Sequence, residues 1–411
     1  MKSKLFSLFL AVIFAMTILT GCAGRFSRGE PSKKIGISMP NDSTAKWAND
    51  SEIMHDILTQ AGYEVNIQFA GDDATAQIQQ IQDMIGAGCT TIIMAAVDED
   101  SLAGTQDLED TNHQLISGGT SDSEEETQDD QTRMALADGI NLIAYDTFIS
   151  NSTIVDYYVG FDGYEAGYLQ ARYIESRLSL QDTVETHTIE FFFDNTTDPL
   201  TVFQFRGAME VLQPYLDAGT LVIRSGQNTL ETCATGSQED TAARMKELLS
   251  SDYADGALDA VLCATDDLAL TVSDVLFSNF TGGVYPIVTG LGCEEASVNA
   301  LVSGRQSMTL LQDCTGMAQE AARVAMALAS GTQTETTDSL DNGRINVPAS
   351  LFYPEEVSRD NIQELLVDRG YFSAGEDGSF LAVTNYTAGY PGLLEFADTP
   401  SSSETEDTSQ T

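Results

Sequence analysis

The chain predicts an α/β fold of two doubly wound lobes, each a parallel sheet wrapped by helices. Three observations carry that prediction. Apolar strand-like runs alternate along the chain with stretches of 3.6-residue periodicity, the pattern of successive βαβ units. The 411 residues suffice for two domains, at roughly 100–200 residues each. Hydrophobic residues make up 42% of the chain, enough for a core in both lobes.

The elements follow in order. Lys2 and Lys4 precede an apolar run from Leu5 to Leu19, the charged and apolar regions of a secretory signal. The run is short for a stable membrane span. It ends "LTGC", Leu19 to Cys22. Small residues before a cysteine resemble a bacterial lipobox, which implies cleavage before Cys22 and a lipid on its thiol. The alternative is an incidental cysteine beside a secretory signal. Residues 1–22 are therefore read as the signal and lipid site, and 23–32, "AGRFSRGEPS", as a tether. Strands are expected at "KIGISM" (34–39), "YEVNIQFA" (63–70), "TTIIMAAV" (90–97), "NLIAY" (141–145), "HTIEFFF" (187–193), "TLVIRS" (220–225), "LDAVLCA" (258–264) and "YPIVTG" (285–290). Between them, Ile53, Met54, Ile57, Leu58 and Ala61 form one helical face stopped by Gly62. Ile78, Ile81 and Ile85 form another, stopped by Gly86 or Gly88. Residues 104–132 are acidic and Ser/Thr/Gly-rich and read as an insertion. The segment 374–411 reads as an acidic tail.

Charge narrows the function classes. There are 63 acidic residues against 19 basic, a net charge of −44. Phosphate recognition needs Lys and Arg, so this balance excludes nucleic acid as partner and disfavours an anionic lipid surface. Beyond Cys22 there are Cys89, Cys233, Cys263, Cys293 and Cys314. An odd number in an exported protein leaves one thiol without an intramolecular partner. Their spacing matches no zinc site. They read as small core residues, with a Cys263–Cys293 bridge as the alternative.

Carboxylates at strand ends are the chemical signal. Asp98 follows "IIMAAV", Asp146 follows "NLIAY", and Asp266 with Asp267 follows "AVLCAT". In open α/β sheets ligands bind beyond the carboxyl ends of strands. A carboxylate there accepts strong hydrogen bonds from hydroxyl groups. Helix capping is the competing role for each. Trp47, the chain's one tryptophan, offers a ring face for the C–H side of a sugar; a core position is its alternative. These residues are expected around one shared hollow. No phosphate-binding loop, nucleophile elbow or paired metal ligands are present in the sequence, so no catalytic residue, metal or cofactor is expected.

These residues sit in longer stretches: "KIGISMPNDSTAKWANDSEIMHDILTQAGYEV", "QIQQIQDMIGAGCTTIIMAAVD", "LIAYDTFISNSTIVDYYVGFDGYEAGYLQA", "GAMEVLQPYLDAGTLVIRSGQ", "YADGALDAVLCATDDLA" and "VPASLFYPEEVSRDNIQELLVDRGYF". Together they resemble the bacterial periplasmic sugar-binding proteins of the xylose and multiple-monosaccharide type. The resemblance implies a type I periplasmic-binding-protein fold, with three crossover strands joining the lobes. It implies a first lobe of 33–147 plus 291–332 and a second of 148–290 plus 333–373. It implies a monomer that binds a monosaccharide or similar polyol and delivers it to the permease of an ABC importer. A sensory role toward a receptor kinase or chemoreceptor is the alternative, and a glycan-processing enzyme a more distant one. Carried over by position, the implied ligand-binding residues are Lys46, Trp47, Asp98, Asp146, Asp198, Asp266 and Gln312. Several positions depart from the family pattern. Lys46 stands where Arg is usual, Thr147 replaces an Arg, and Gln312 replaces a Lys. Pro199 and Leu200 replace two Asn, and Leu291 and Gly292 replace a Gln–Asp pair. A second-lobe tryptophan is missing. The second lobe is therefore expected to read a deoxy or less hydroxylated sugar, another small polar molecule, or none.

Overall fold

A computed structural model describes residues 33–98 and 140–383, apart from 195, 197, 335, 337 and 377. The proposed signal, lipid site, tether and acidic insertion lie outside the described residues. The chain opens with β1 (Lys34–Met39), α1 (Ala45–Gln60), β2 (Glu64–Phe69), α2 (Ala74–Gly86), β3 (Thr91–Met94), β4 (Asn141–Tyr145) and β5 (Tyr157–Phe161). Met54 and Leu58 of α1 are fully buried against Ile35 and Ile37 of β1, as the periodicity requires. The turn after α1 uses Gly62 at φ 84°, a backbone state that glycine adopts without steric cost. The Asp73 side chain accepts from the Ala76 N–H and caps α2.

The second lobe follows. Its elements are α3 (Gly163–Arg177), β6 (His187–Phe192), α4 (Pro199–Ala218), β7 (Leu221–Val222), α5 (Leu230–Cys233), α6 (Gln238–Ser250), β8 (Ala260–Cys263), α7 (Asp266–Asn279), β9 (Ile287–Val288), α8 (Glu295–Ser303) and β10 (Met308–Leu311). The described residues end with α9 (Cys314–Ser330), β11 (Asp338–Asp341), β12 (Asn346–Phe352), β13 (Glu355–Ser358), a π-helical turn (Gln363–Val367), β14 (Phe372–Ala374) and β15 (Phe380–Ala382).

Two sheets organise the molecule. The first has order β11-β12-β5-β4-β3-β1-β2, parallel except for β11. The second has order β7-β6-β8-β9 and is all parallel. Two further antiparallel pairs are β10–β13 and β14–β15. Helix α9 packs into the first core and α8 into a smaller second-lobe cluster. The chain passes between lobes three times: at Asp162, at Gln312–Asp313, and at Tyr353–Pro354. The first and third passages touch, because the Asp162 N–H donates to the Phe352 carbonyl at 2.9 Å. This is the type I architecture.

The lobe boundaries move. Residues 148–161 belong to the first lobe, because β5 pairs with β4 and Phe148, Ile149 and Val155 enter its core. Residues 338–352 also belong there, because β12 pairs with β5. Conversely α8 and β10 pack on the second lobe, so the segment 291–311 stays with it. Edge strand β11 and its neighbour β12 are partly exposed and lack a continuous apolar run, which hides them in sequence. The segment read as tail is described only to residue 383, and 384–411 lie outside the described residues. Residues 374–382 form part of the β14–β15 hairpin, held to α8 by the Asn299 side chain, which donates to the Phe380 carbonyl at 2.9 Å.

The two long second-lobe helices pack closely. A Cβ at Gly167 of α3 would collide with the Gln204 carbonyl, and one at Gly207 of α4 with the Tyr164 carbonyl. Two buried glutamines then bind these helices to the second sheet. Gln170 Nε2 donates to the Cys263 and Gly290 carbonyls, each at 3.0 Å. Gln204 Nε2 donates to Gln170 Oε1 at 3.0 Å and to the Ala264 carbonyl at 2.8 Å.

Candidate functional site

The site is built on the carboxyl edge of the first sheet. Strands β1, β3 and β4 are neighbours in register, Ser38 opposite Met94 and Met94 opposite Ala144. The segments leaving them therefore emerge side by side: the loop to Lys46 and Trp47, the stretch to Asp98, and Asp146. Buried Gln77 fixes two of these exits. Its Nε2 donates to Ser38 Oγ at 3.2 Å and to the Ala95 carbonyl at 2.8 Å, while its Oε1 accepts from the Val97 N–H at 2.8 Å.

Asp146 sits in a strained backbone. Its φ is 64°, in the left-handed region, and the next N–H, of Thr147, turns back to the Tyr145 carbonyl at 2.7 Å. Such conformations cost energy, and they concentrate at ligand sites. The Tyr158 hydroxyl, buried beneath, donates to the Asp146 carbonyl at 3.0 Å. The Asp146 carboxylate pairs with the Lys46 ammonium at 3.2 Å, and both side chains keep 27% exposure. Lys46 also donates to Asp50 at 3.2 Å, one turn along α1. Its Nζ lies 4.1 Å from the Trp47 ring centroid and 5.3 Å from that of Tyr145. Asp50 is 2% exposed and also accepts from the Tyr145 hydroxyl at 2.8 Å.

The electrostatics follow from this crowding. Burial works to lower the Lys46 pKa, but the opposing charges, Asp146 foremost, outweigh it and hold the ammonium charged. Burial wins at Asp50 and pushes its pKa up to about 6, against the pull of Lys46 and of the Tyr145 hydrogen bond. The partners differ because Lys46 faces two carboxylates, whereas Asp50 faces one cation and a second anion. Cys314, at the start of α9, completes the group. Burial raises its thiol to about 12, aided by Asp50 and Asp146.

The other sequence-predicted residues divide. Asp98 is exposed and stands at the end of β3, on the same edge. Gln312 lies half-buried in the second passage between lobes, and its carbonyl accepts from the Cys314 N–H at 2.9 Å. Asp198 caps α4: its carboxylate accepts from the Leu200 and Thr201 N–H groups and from Thr201 Oγ1. It still lies close enough to act with Asp146 on the Tyr158 phenol, which burial pushes well up. So α4 carries Asp198 toward the first-lobe edge, and Phe203 of α4 meets Phe148 with ring centroids 6.2 Å apart. Trp47 is neither core nor free rim: it is half-buried on the first core, with Lys46 over its ring.

Asp266 leaves the set. It is 1% exposed and turned into the second lobe, where it accepts from Gln306 at 2.9 Å, Thr309 at 2.8 Å and the Glu294 N–H at 3.0 Å. Its burial raises its pKa. A carboxylate saturated by three internal donors anchors the loop after β9 rather than a ligand. The single hollow expected around Trp47, Asp98, Asp146 and Asp266 therefore loses its second-lobe member.

Three residues of the group, Asp50, Tyr145 and Cys314, escape the sequence reading. Asp50 had a signal, because a carboxylate four residues after Lys46 shares its helical face. Tyr145 looked like strand filler, and Cys314 comes from a helix far along the chain. Cys263 and Cys293 are free and buried, so the bridge between them is not formed. Among the described residues no group of His, Cys, Asp and Glu is arranged to hold a metal ion. A separate cavity of about 570 Å³ opens on the second lobe between α3, α8 and β13. Arg177, Arg359, Glu356 and Asp360 line it, so its charges are mixed, and it lies away from the first-sheet edge.

Comparison with known proteins agrees with this architecture. The profile of the periplasmic binding protein domain matches residues 121–333, just over half of the chain. The multiple sugar-binding periplasmic receptor ChvE of Rhizobium radiobacter is 34% identical over 349 residues, covering 83% of this chain and 91% of the relative. An ABC transporter solute-binding protein from Clostridium phytofermentans, solved with beta-D-glucose, is 34% identical with a TM-score of 0.68 and covers 84% of this chain and 99% of its own. A carbohydrate transporter solute-binding protein from Chloroflexus aurantiacus, solved with D-glucose, is 26% identical with a TM-score of 0.64, covering 83% and 96%. Two lobes joined by three passages, with this similarity across both, place the chain in the periplasmic binding protein family.

Proposed function

We propose that this protein captures a monosaccharide or similar small polyol between its lobes, outside the cytoplasm, and delivers it to an ABC importer. The observation that carries the reading is the Lys46–Trp47–Asp146 group at the carboxyl edge of the first sheet, with Asp146 held in a strained turn. A carboxylate, an ammonium and an indole suit a neutral ring that has hydroxyls at its edge and C–H bonds on its face. Asp98 and Gln312 extend the polar rim, and Asp198 faces it from α4. The two relatives solved with glucose support a sugar as the ligand class. Closure of the lobes on the ligand supplies the shape that a permease reads. Cys22 carries the lipid that tethers the protein to the outer face of the membrane.

A thermal-shift panel of aldohexoses, pentoses, deoxysugars and inositols tests the ligand class. At ligand concentrations far above Kd, binding adds a few kcal/mol to stability, and at least one sugar is expected to raise Tm by several degrees. If the whole panel leaves Tm unmoved, the sugar reading is wrong. Cys22→Ser tests the tether: the variant is expected in the soluble fraction, and a variant still held at the membrane removes the lipid from the account.

A further inference from the structure

We propose that Asp50 is a positioning residue: it holds the Lys46 ammonium over Trp47 and beside Asp146, and its charge sets the geometry with which that edge meets a sugar. The inference rests on the proposed sugar site, but its first test needs no sugar.

The geometry carries it. Lys46 has three N–H donors. One goes to Asp50 at 3.2 Å, and the ion pair to Asp146 spans the same 3.2 Å on the other side. The ammonium is thus suspended between a buried carboxylate and a half-exposed one, with the indole 4.1 Å beneath it. The Tyr145 hydroxyl, at 2.8 Å from the same Asp50 oxygen, keeps that carboxylate from turning away. Tyr145 and Asp146 are consecutive, so one carboxylate on α1 bonds to the end of β4 and to the cation that faces it. Among the described residues, Lys46, Asp146, Tyr145 and Cys314 are the ionisable groups that act on Asp50 or are acted on by it. Lys46 stays protonated, and the Tyr145 and Cys314 groups stay neutral below pH 8, because burial raises both.

The consequence is a switch in who holds Lys46. With Asp50 ionised, the ammonium is shared. With Asp50 protonated, the attraction of Asp146 acts alone. Lys46 then moves off the ring and onto the carboxylate that would otherwise accept sugar hydroxyls. Burial sets the Asp50 transition near pH 6, a range where a neutral sugar has no titration of its own.

Trp47 is the chain's single tryptophan, so its fluorescence reports this contact in the free protein. In the full chain, selective excitation of tryptophan from about pH 5 to about pH 8 is expected to show one transition near pH 6. Asp50→Asn, which keeps an oxygen for the Tyr145 hydroxyl, is expected to abolish the transition. Asp50→Glu, which keeps the charge, is expected to retain one. Titration calorimetry with D-glucose forms the second arm: Asp50→Asn is expected to bind roughly tenfold more weakly at neutral pH, with no pH dependence, whereas the parent weakens on acidification. A parent signal flat with pH, or a transition that survives in Asp50→Asn, overturns the positioning role. A transition lost in Asp50→Asn together with no glucose binding by the parent keeps the positioning role and counts against the sugar reading.

Discussion

Asp146 and Asp266 show how one residue type serves two ends. Both follow a strand, and in sequence they are indistinguishable as hydroxyl acceptors. Asp146 keeps a partly exposed carboxylate and a strained backbone, whereas Asp266 is spent on Gln306, Thr309 and the Glu294 N–H. Opposite phenotypes follow. Asp146→Asn tolerates the left-handed backbone but loses charge-assisted acceptance. Sugar affinity by calorimetry is expected to fall about 10–100-fold, with Tm little changed. Asp266→Ala strands three buried donors at ~1–3 kcal/mol each, and urea unfolding is expected to show a loss of several kcal/mol. A stable Asp266→Ala protein with impaired sugar binding would return Asp266 to the ligand site.

At the scale of elements, position depends on contacts that composition does not announce. Helices α3 and α4 approach so closely that Gly167 faces the Gln204 carbonyl and Gly207 the Tyr164 carbonyl. This pair places Asp198 and Phe203 against the first lobe, so its spacing sets where the second lobe's edge stands. Gly167→Ala forces the helices apart, and such overpacking costs ~1–3 kcal/mol. The expected outcome is a lower Tm with weaker sugar binding. Retention of both would mean that the helix spacing is slack. Strand β5 makes the complementary point. Its run "YYVGF" is buried throughout and sits between β4 and β12 in the first sheet, although the chain leaves for the second lobe directly after it.

The whole molecule is governed by its charge. At neutral pH it carries −44, which favours solubility and opposes compactness. Burial moreover raises Asp50 to about 6, and raises Asp156, Asp162, Glu190, Asp266, Glu294 and Glu356 above their ordinary values. A carboxyl group whose folded pKa exceeds its unfolded one binds its proton more tightly when folded. Its stabilising contribution is complete below the ordinary carboxylate range and is lost as pH rises through the raised value. Both effects therefore act in the same direction. Tm is expected to be higher near pH 5 than near pH 8, and added salt is expected to narrow the gap by screening the repulsion. Scanning calorimetry at the two pH values, with and without salt, checks this. A higher Tm at pH 8 would mean that surface ion pairs outweigh both effects.

By itself the sequence determined the α/β class, strands β1 to β4 and β6 to β9, and the helix faces of α1 and α2. Those signals are local, a matter of periodicity, capping and glycine stops. It also marked Asp146 by its place at a strand end and Trp47 as the single tryptophan after the first strand, while Lys46 came from the family resemblance alone. Only the tertiary structure decided the lobe boundaries, since β5 and β12 join the first lobe while α8 and β10 stay with the second. Only it separated Asp146 from Asp266, and only it assembled Asp50, Tyr145 and Cys314 around one ammonium. The physical reason is the same in each case. Whether a carboxylate is satisfied, exposed or charged depends on partners brought by other elements, and sequence spacing carries no record of those distances.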